Sequence, residues 1–339
     1  MQNRQWKLIS RPVGLVKRGD FEFAAAPVGE PGPGEVLVKV QYISLDPAMR
    51  GWLIDRPSYI PPVGLGEVMR AGGIGRVVAS NAPSLGVGDT VFGLTGVQEY
   101  ALLNAGMISA GMMRKVDPQL APLPRYLGAL GLTGISAYFG LLDICEPKPG
   151  ETVVVSGAAG AVGSVAGQIA KIKGCRVIGI AGGPEKCRYL VDELGFDAAI
   201  DYKNEDVGAG LAKHCPRGID VYFDNVGGDI LDLVLEQLAR NARISLCGAI
   251  SQYNNPEAVQ GPKNYLSLLI NRARMEGFVV LDYLARVDEA LKELGGWIAE
   301  GKIKAREDIV EGIETFPETL NKLFTGENFG KLVIKVADA

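Results

Sequence analysis

The chain has 339 residues, 47% apolar and 22% charged, with a net charge of −4 and a pI near 5.4. That length accommodates two domains of ordinary size, and the composition is that of a globular chain with an ample core. The slight acidic excess gives no basis for binding nucleic acid or an anionic membrane surface, and the 45 glycines, scattered among apolar runs, suit a loop-rich α/β protein rather than a disordered one.

The first ten residues, MQNRQWKLIS, hold no apolar run of the kind a secretory signal carries. From Glu35 to about Val116 the pattern is β-rich: Val36–Val40 alternates around Lys39, Gly75–Ala79 reads as a strand, and Gly88–Gly93 as a turn entering one. Pro27, Pro31, Pro33, Pro61 and Pro62 punctuate this region with loops. The longest uncharged stretch, Tyr126–Leu142, is too short and too glycine-rich for a membrane span and reads as a buried segment.

Near Gly128 the character changes to alternating strands and helices. The spacing predicts strands at Val153–Val155, Arg176–Ala181, Asp197–Ile200, Val221–Asp224 and Arg243–Cys247. Between them it predicts helices at Val162–Ile172, Glu185–Leu194 and Asp229–Leu238, an order that calls for a parallel sheet covered on both faces. A last strand, Lys331–Val336, is expected to return to the first domain. The expectation is therefore an α/β chain in which 1–127 and 311–339 form a β-rich domain and 128–310 a Rossmann domain.

The segment Thr152–Val165, TVVVSGAAGAVGSV, runs from a β-branched strand through a glycine-spaced turn into a helical pattern. Gly157, Gly160 and Gly163 lie three apart. Glycines so placed permit a tight turn and close approach of a pyrophosphate, and the following helix turns its open N–H groups toward it. Strand before and helix after meet the context a dinucleotide fingerprint requires. About 20 residues on, an NAD site places an acid for the ribose 2′-hydroxyl, but here stand Ala181-Gly182-Gly183, followed by Lys186. A missing carboxylate and a nearby ammonium point to NADP(H), whose 2′-phosphate the ammonium neutralises. Asn225 and Cys247-Gly248-Ala249-Ile250, at two further strand ends, face the same crevice on this reading; Asn225 reads equally well as a cap of the next helix.

The five cysteines, Cys145, Cys175, Cys187, Cys215 and Cys247, contain no CxxC pair and read as reduced, mostly buried thiols of a cytoplasmic protein. The single histidine, His214, reads as a surface-loop residue, so neither a catalytic nor a structural zinc set assembles and no metal is expected. Proton or hydrogen-bond donation then falls to a tyrosine, with Tyr42, Tyr59, Tyr138, Tyr253 and Tyr265 as candidates, each also readable as packing.

The chain resembles the zinc-independent medium-chain dehydrogenases/reductases, in particular the branch of prostaglandin reductases, alkenal double-bond reductases and bacterial curcumin reductase-type enzymes. The segments that carry this are SLDPAMRGW (44–52), LTGISAYFGL (132–141), GAAGAVGSVAGQIAK (157–171), EKCRYL (185–190), DYK (201–203), YFDNVGG (222–228), CGAISQYN (247–254), RMEGFVV (274–280) and GENFGK (326–331). The resemblance implies a GroES-like domain beside the Rossmann domain. It implies a pyrophosphate turn at Ala159, Gly160, Ala161, Val162 and Gly163, and 2′-phosphate ligands at Lys186 and Tyr202. It implies further cofactor contacts at Asn225, through Cys247, Gly248, Ala249, Ile250, Ser251, Gln252 and Tyr253, and at Phe278, Val279, Val280 and Asn328. Tyr253 matches a residue that orients the substrate oxygen or supplies a proton, and Tyr59 is expected on the other side of an interdomain cleft. Where some mammalian members carry a tyrosine four residues before the arginine of RMEGF, this chain has Ile270. The implied activity is NADPH-dependent reduction of the C=C bond of an enone or enal by a homodimer. The alternatives are an NADPH quinone oxidoreductase and a non-catalytic NADPH sensor.

Overall fold

In the computed structural model, which describes residues 1–257, 259 and 261–337, the chain begins with an antiparallel pair, β1 (Gln2–Leu8) and β2 (Phe21–Pro27). β3 (Glu35–Ser44), the short helix α1 (Ala48–Gly51), β4 (Gly73–Ser80), β5 (Thr90–Gly93), β6 (Tyr100–Asn104) and β7 (Arg114–Val116) follow. β1 carried no hydrophobic signal because two of its inward residues are amides. Asn3, 8% exposed, donates through Nδ2 to Tyr100 O at 2.9 Å and accepts from Tyr100 N at 2.9 Å, so its burial is fully matched by backbone partners.

From Ala129 the architecture alternates. α2 (Leu132–Leu142) precedes β8 (Thr152–Ser156), α3 (Ala161–Ile172), β9 (Arg176–Ala181), α4 (Pro184–Arg188), β10 (Ala198–Asp201), α5 (Val207–His214) and β11 (Ile219–Asp224). α6 (Gly228–Leu235), β12 (Leu238–Leu246), α7 (Leu266–Asn271), β13 (Arg274–Gly277) and α8 (Val287–Ala299) complete it. The six strands are all parallel in the order β10-β9-β8-β11-β12-β13, the doubly wound Rossmann order. Every residue of β8 is buried, as a central parallel strand covered on both faces must be. The chain then returns through β14 (Glu307–Glu311), α9 (Phe316–Thr325) and β15 (Lys331–Lys335). These strands extend the first sheet, ordered β14-β15-β3-β4-β5-β7 with β6 on β3. Two compact units result, Met1–Gly128 with Glu307–Ala339, and Ala129–Arg306. The second crossing falls at 306/307 because Glu307–Glu311 pairs in parallel with Lys331–Lys335.

Three expected elements differ. The helix expected over 185–194 is α4 followed by a π turn at Tyr189–Glu193, whose wider ring lets adjacent Tyr189 and Leu190 both turn inward, at 7% and 0% exposure. The helix expected to reach Leu238 stops at Leu235, because Leu238 pairs with Ile219 and opens β12. His214 is the half-buried last residue of α5 rather than a loop residue.

In the first unit, Trp6 is 1% exposed; its ring stacks on Phe23 at 4.8 Å and meets Phe316 at 6.1 Å, and its Nε1 donates to Ile313 O at 2.8 Å. That one side chain joins the N-terminal strand pair to the returning C-terminal segment. Trp6→Ala is expected to cost about 3–5 kcal/mol. Trp6→Phe, which keeps a ring and loses the hydrogen bond, is expected to cost clearly less; denaturant midpoints measure the difference.

Candidate cofactor site and catalytic residues

The turn after β8 is shaped by what it cannot hold. Gly157 has φ +57°, and a Cβ on Gly163 would lie 2.4 Å from Gly157 O and 2.9 Å from Ala158 Cα. Both neighbours are backbone, so neither can yield. Gly160 N donates to Gly157 O at 2.9 Å, and Gly160, with ψ 175°, is the extended cap from which α3 starts. The first-turn amides of α3, at Ala161, Val162 and Gly163, have no carbonyl within their own helix and present a partial positive charge. Ala159 is buried against this turn. A bare, cation-like backbone cradle of this kind fits a pyrophosphate.

Beside it, one acid ties together the carboxyl ends of β8, β11 and β12. Asp224 is fully buried, and its Oδ1 accepts from Ser156 Oγ at 2.9 Å, Tyr222 OH at 2.8 Å, Val226 N at 2.9 Å and Gly227 N at 2.9 Å. Its carbonyl oxygen accepts from Cys247 N at 2.9 Å and Gly248 N at 3.1 Å. Burial raises its pKa against the pull of those donors, and Oδ2 has no partner among the described residues. Burial and the Asp224 carboxylate together push the Tyr222 phenol well above its ordinary value, so it remains a donor. Asn225 donates through Nδ2 to Ser156 O at 2.7 Å and through its backbone N to Ser156 Oγ at 2.9 Å. Its side chain therefore clasps β8, and these bonds go to Ser156 and not to α6.

The loop Cys247–Tyr253 continues from these bonds. Ile250 N donates to Asn225 O at 3.2 Å, Ser251 N and Oγ donate to Val226 O at 3.2 and 2.7 Å, and Gln252 Nε2 reaches Ser251 Oγ at 3.0 Å. The Tyr253 hydroxyl accepts from Ala249 N at 3.1 Å, which folds the ring back over Gly248 and Ala249.

At the end of β9, Gly182 lies under Tyr202: a Cβ there would come within 2.8 Å of the ring. Tyr202 is 44% exposed, Lys186 is half-buried on α4, and Tyr202 N donates to Ala181 O at 3.1 Å. Lys186, on α4, and Tyr202 thus follow two strand ends that are clipped to one another. Phe278 follows β13, and its ring packs on α2, where a Cβ on Gly140 would fall 2.4 Å from it, and edge-on to Tyr283 at 6.3 Å. Phe278, Val279 and Val280 are half-buried. Tyr59, 54% exposed, and Asn328, whose Nδ2 donates to Gly330 O at 3.1 Å, belong to the first unit.

Of the other candidates, Tyr138 hydrogen-bonds Glu289 on α8 at 3.4 Å, Tyr42 lies within β3, and Tyr265 is 57% exposed at the start of α7. Burial and neighbouring Lys213 and Arg176 lower the His214 pKa. Among the described residues no three His, Cys, Asp or Glu side chains converge as a metal requires, and no helix is long and apolar enough to cross a membrane. Sequence reasoning missed Ser156, Tyr222 and Asp224, although an acid closing an apolar strand just before a Gly-Gly turn was the available signal.

The thiols of Cys145, Cys175 and Cys215 are buried and those of Cys187 and Cys247 half-buried. Burial pushes Cys145 and Cys247 up to about 12 and Cys175, Cys187 and Cys215 up to about 11. A thiol reagent acts on the thiolate, so near pH 8 all five are expected to react about a hundredfold or more slowly than free cysteine until the chain unfolds. A fast stoichiometric phase with the native protein would contradict this.

A glycine cradle at the first parallel strand, ringed by the carboxyl ends of its neighbours, is that of a dinucleotide-binding protein of the Rossmann class. A family model described as the N-terminal domain of oxidoreductase matches residues 4–110, and one described as zinc-binding dehydrogenase matches 161–296. An NADPH-dependent curcumin reductase of Escherichia coli is 45% identical over 99% of this chain and 97% of its own. An NADP(+)-dependent 2-alkenal reductase of Nicotiana tabacum is 39% identical over 99% and 98%. The crystal structure of CurA in complex with NADPH from Vibrio vulnificus is 45% identical, covers 99% of this chain and 100% of its own, and has a TM-score of 0.93. The chain belongs to the zinc-independent branch of the medium-chain dehydrogenases/reductases, an NADP-dependent oxidoreductase family.

Proposed function

We propose that this protein is an NADPH-dependent reductase of the C=C bond of α,β-unsaturated ketones and aldehydes. The observation that carries the reading is its whole-length likeness to the curcumin reductase and the 2-alkenal reductase. NADPH, when bound, supplies a hydride for the β-carbon of the substrate.

The chain's own residues divide the remaining work. Ala159–Gly163 receive the pyrophosphate on backbone N–H groups, and Lys186 and Tyr202 hold the 2′-phosphate. Asn225, Cys247–Gln252, Phe278–Val280 and Asn328 supply further contacts along the cofactor. Reduction at the β-carbon builds negative charge on the substrate's carbonyl oxygen, where Tyr253 donates a hydrogen bond, and a proton from water then adds at the α-carbon to give the saturated carbonyl. A donor placed where charge develops is commonly worth about 3–4 kcal/mol in the transition state. Tyr59 is the first unit's candidate for a contact to the substrate. The unpaired thiols suit a reducing compartment, and the proposal extends to a cytoplasmic homodimer, which sedimentation reads.

The decisive assay follows NADPH oxidation with a panel of enones and enals of graded chain length, with product analysis. A saturated carbonyl product is expected; an allylic alcohol with its C=C intact would overturn the reading. Tyr253→Phe is expected to lower kcat about a hundredfold while the NADPH dissociation constant stays within about twofold; unchanged kcat would remove Tyr253 from the chemistry. Lys186→Ala is expected to raise KM for NADPH about 10- to 100-fold, the range of a charge-assisted hydrogen bond, and to leave that for NADH unchanged.

A further inference from the structure

The carboxylate missing from the end of β9 has a counterpart one strand away. Asp201 closes β10 and pairs in register with Ala181, the last residue of β9. An acid so close to an adenine-ribose site would ordinarily accept the ribose hydroxyls and favour NAD. Asp201 is turned the other way. It is 4% exposed; Oδ1 accepts from Gly183 N at 2.7 Å and Lys203 N at 3.1 Å, and Oδ2 accepts from Asn204 Nδ2 at 2.7 Å. Its carbonyl oxygen accepts from Asn204 N at 3.0 Å and Glu205 N at 2.8 Å. Burial works against its ionisation, but the bonds from Asn204, Gly183 and Lys203 hold its pKa below the ordinary carboxylate value.

These bonds join the two loops that carry the phosphate-binding side chains. Gly183, at φ +95°, is the cap from which α4 and Lys186 start, and Lys203 follows Tyr202 directly. Gly183 O accepts from Cys187 N of α4 at 3.2 Å, and the Asp201 carboxylate takes the Gly183 N–H on the other side. The Asp201 carboxylate, together with the Tyr202 N–Ala181 O bond, therefore holds the start of α4, which carries Lys186, against the Tyr202 turn.

We propose that Asp201 is a positioning residue for NADP selectivity, its inward carboxylate clipping Gly183, the cap of α4, to the Tyr202–Lys203 turn so that the Lys186 and Tyr202 side chains converge on a 2′-phosphate. This rests on the reading of Lys186 and Tyr202 as 2′-phosphate ligands. The clip acts only on that phosphate, because the glycine cradle at Gly157–Gly163 hangs on bonds of its own.

Binding of NADPH and of NADH is to be titrated separately to Asp201→Ala, Asp201→Asn and Lys186→Ala, alongside thermal midpoints. Asp201→Ala is expected to weaken NADPH about tenfold or more and NADH less than about twofold, approaching the selectivity of Lys186→Ala. Asp201→Asn keeps the shape and one acceptor oxygen, loses the bond from Asn204, and is expected to fall between Asp201→Ala and the parent; it carries the test if Asp201→Ala does not fold. Equal weakening of both nucleotides, or no weakening of either, with Lys186→Ala still selective, would overturn the role of Asp201 alone. A Lys186→Ala protein that fails to separate the two nucleotides would overturn the 2′-phosphate reading and this inference with it.

Discussion

The Asp224 carboxyl is the constraint on which the site depends. A parallel sheet delivers strand ends to one edge, but it does not say how the loops beyond them are held. Here one oxygen of a fully buried acid collects two hydroxyls and two backbone N–H groups, while the same residue's carbonyl starts the Cys247 loop. Burying a carboxyl is costly, and donors at this density are what offset it. Each bond also fixes a loop at the carboxyl edge of the sheet: the turn at Val226–Gly227, the clasp of Asn225 on Ser156, the start of Cys247–Tyr253.

Two other constraints complete the arrangement, and they differ in kind. The pyrophosphate turn is steric, since no side chain fits between Gly163 and the Gly157 carbonyl. Beyond β9 the arrangement is electrostatic, with Asp201 turned inward onto the Gly183 and Lys203 N–H groups and the Asn204 amide. Tyr253 sits at the far end of the Asp224 network, its hydroxyl anchored on Ala249 N. In the proposed reduction, a phenol fixed by its oxygen before substrate arrives would be preorganised, sparing the reorganisation a mobile donor would undergo.

Much of this was legible in the residues. The buried run at 152–156, the three-residue glycine spacing and the Ala181-Gly182-Gly183 ending without an acid each report a local physical demand, and each gave its element or its nucleotide directly. β1 was hidden because Asn3 and Gln5 are buried polar residues, matched by partners almost a hundred positions away. The π turn at Tyr189 and the early start of β12 were hidden for a related reason: tertiary burial and strand pairing override the local helical period. Asp224 and Asp201 were in plain view as residues, but their roles depend on which way a carboxylate points, and spacing carries no such information.

The central claim is hydride delivery to the β-carbon of an enone with the carbonyl left intact. It is tested most directly by turning over a simple enone with NADPH deuterated on the transferring face of the nicotinamide and locating the label in the product. Deuterium at the β-carbon of a saturated ketone is the expected result. Deuterium on the carbonyl carbon, or oxidation of the nucleotide with no label in the organic product, would contradict the account.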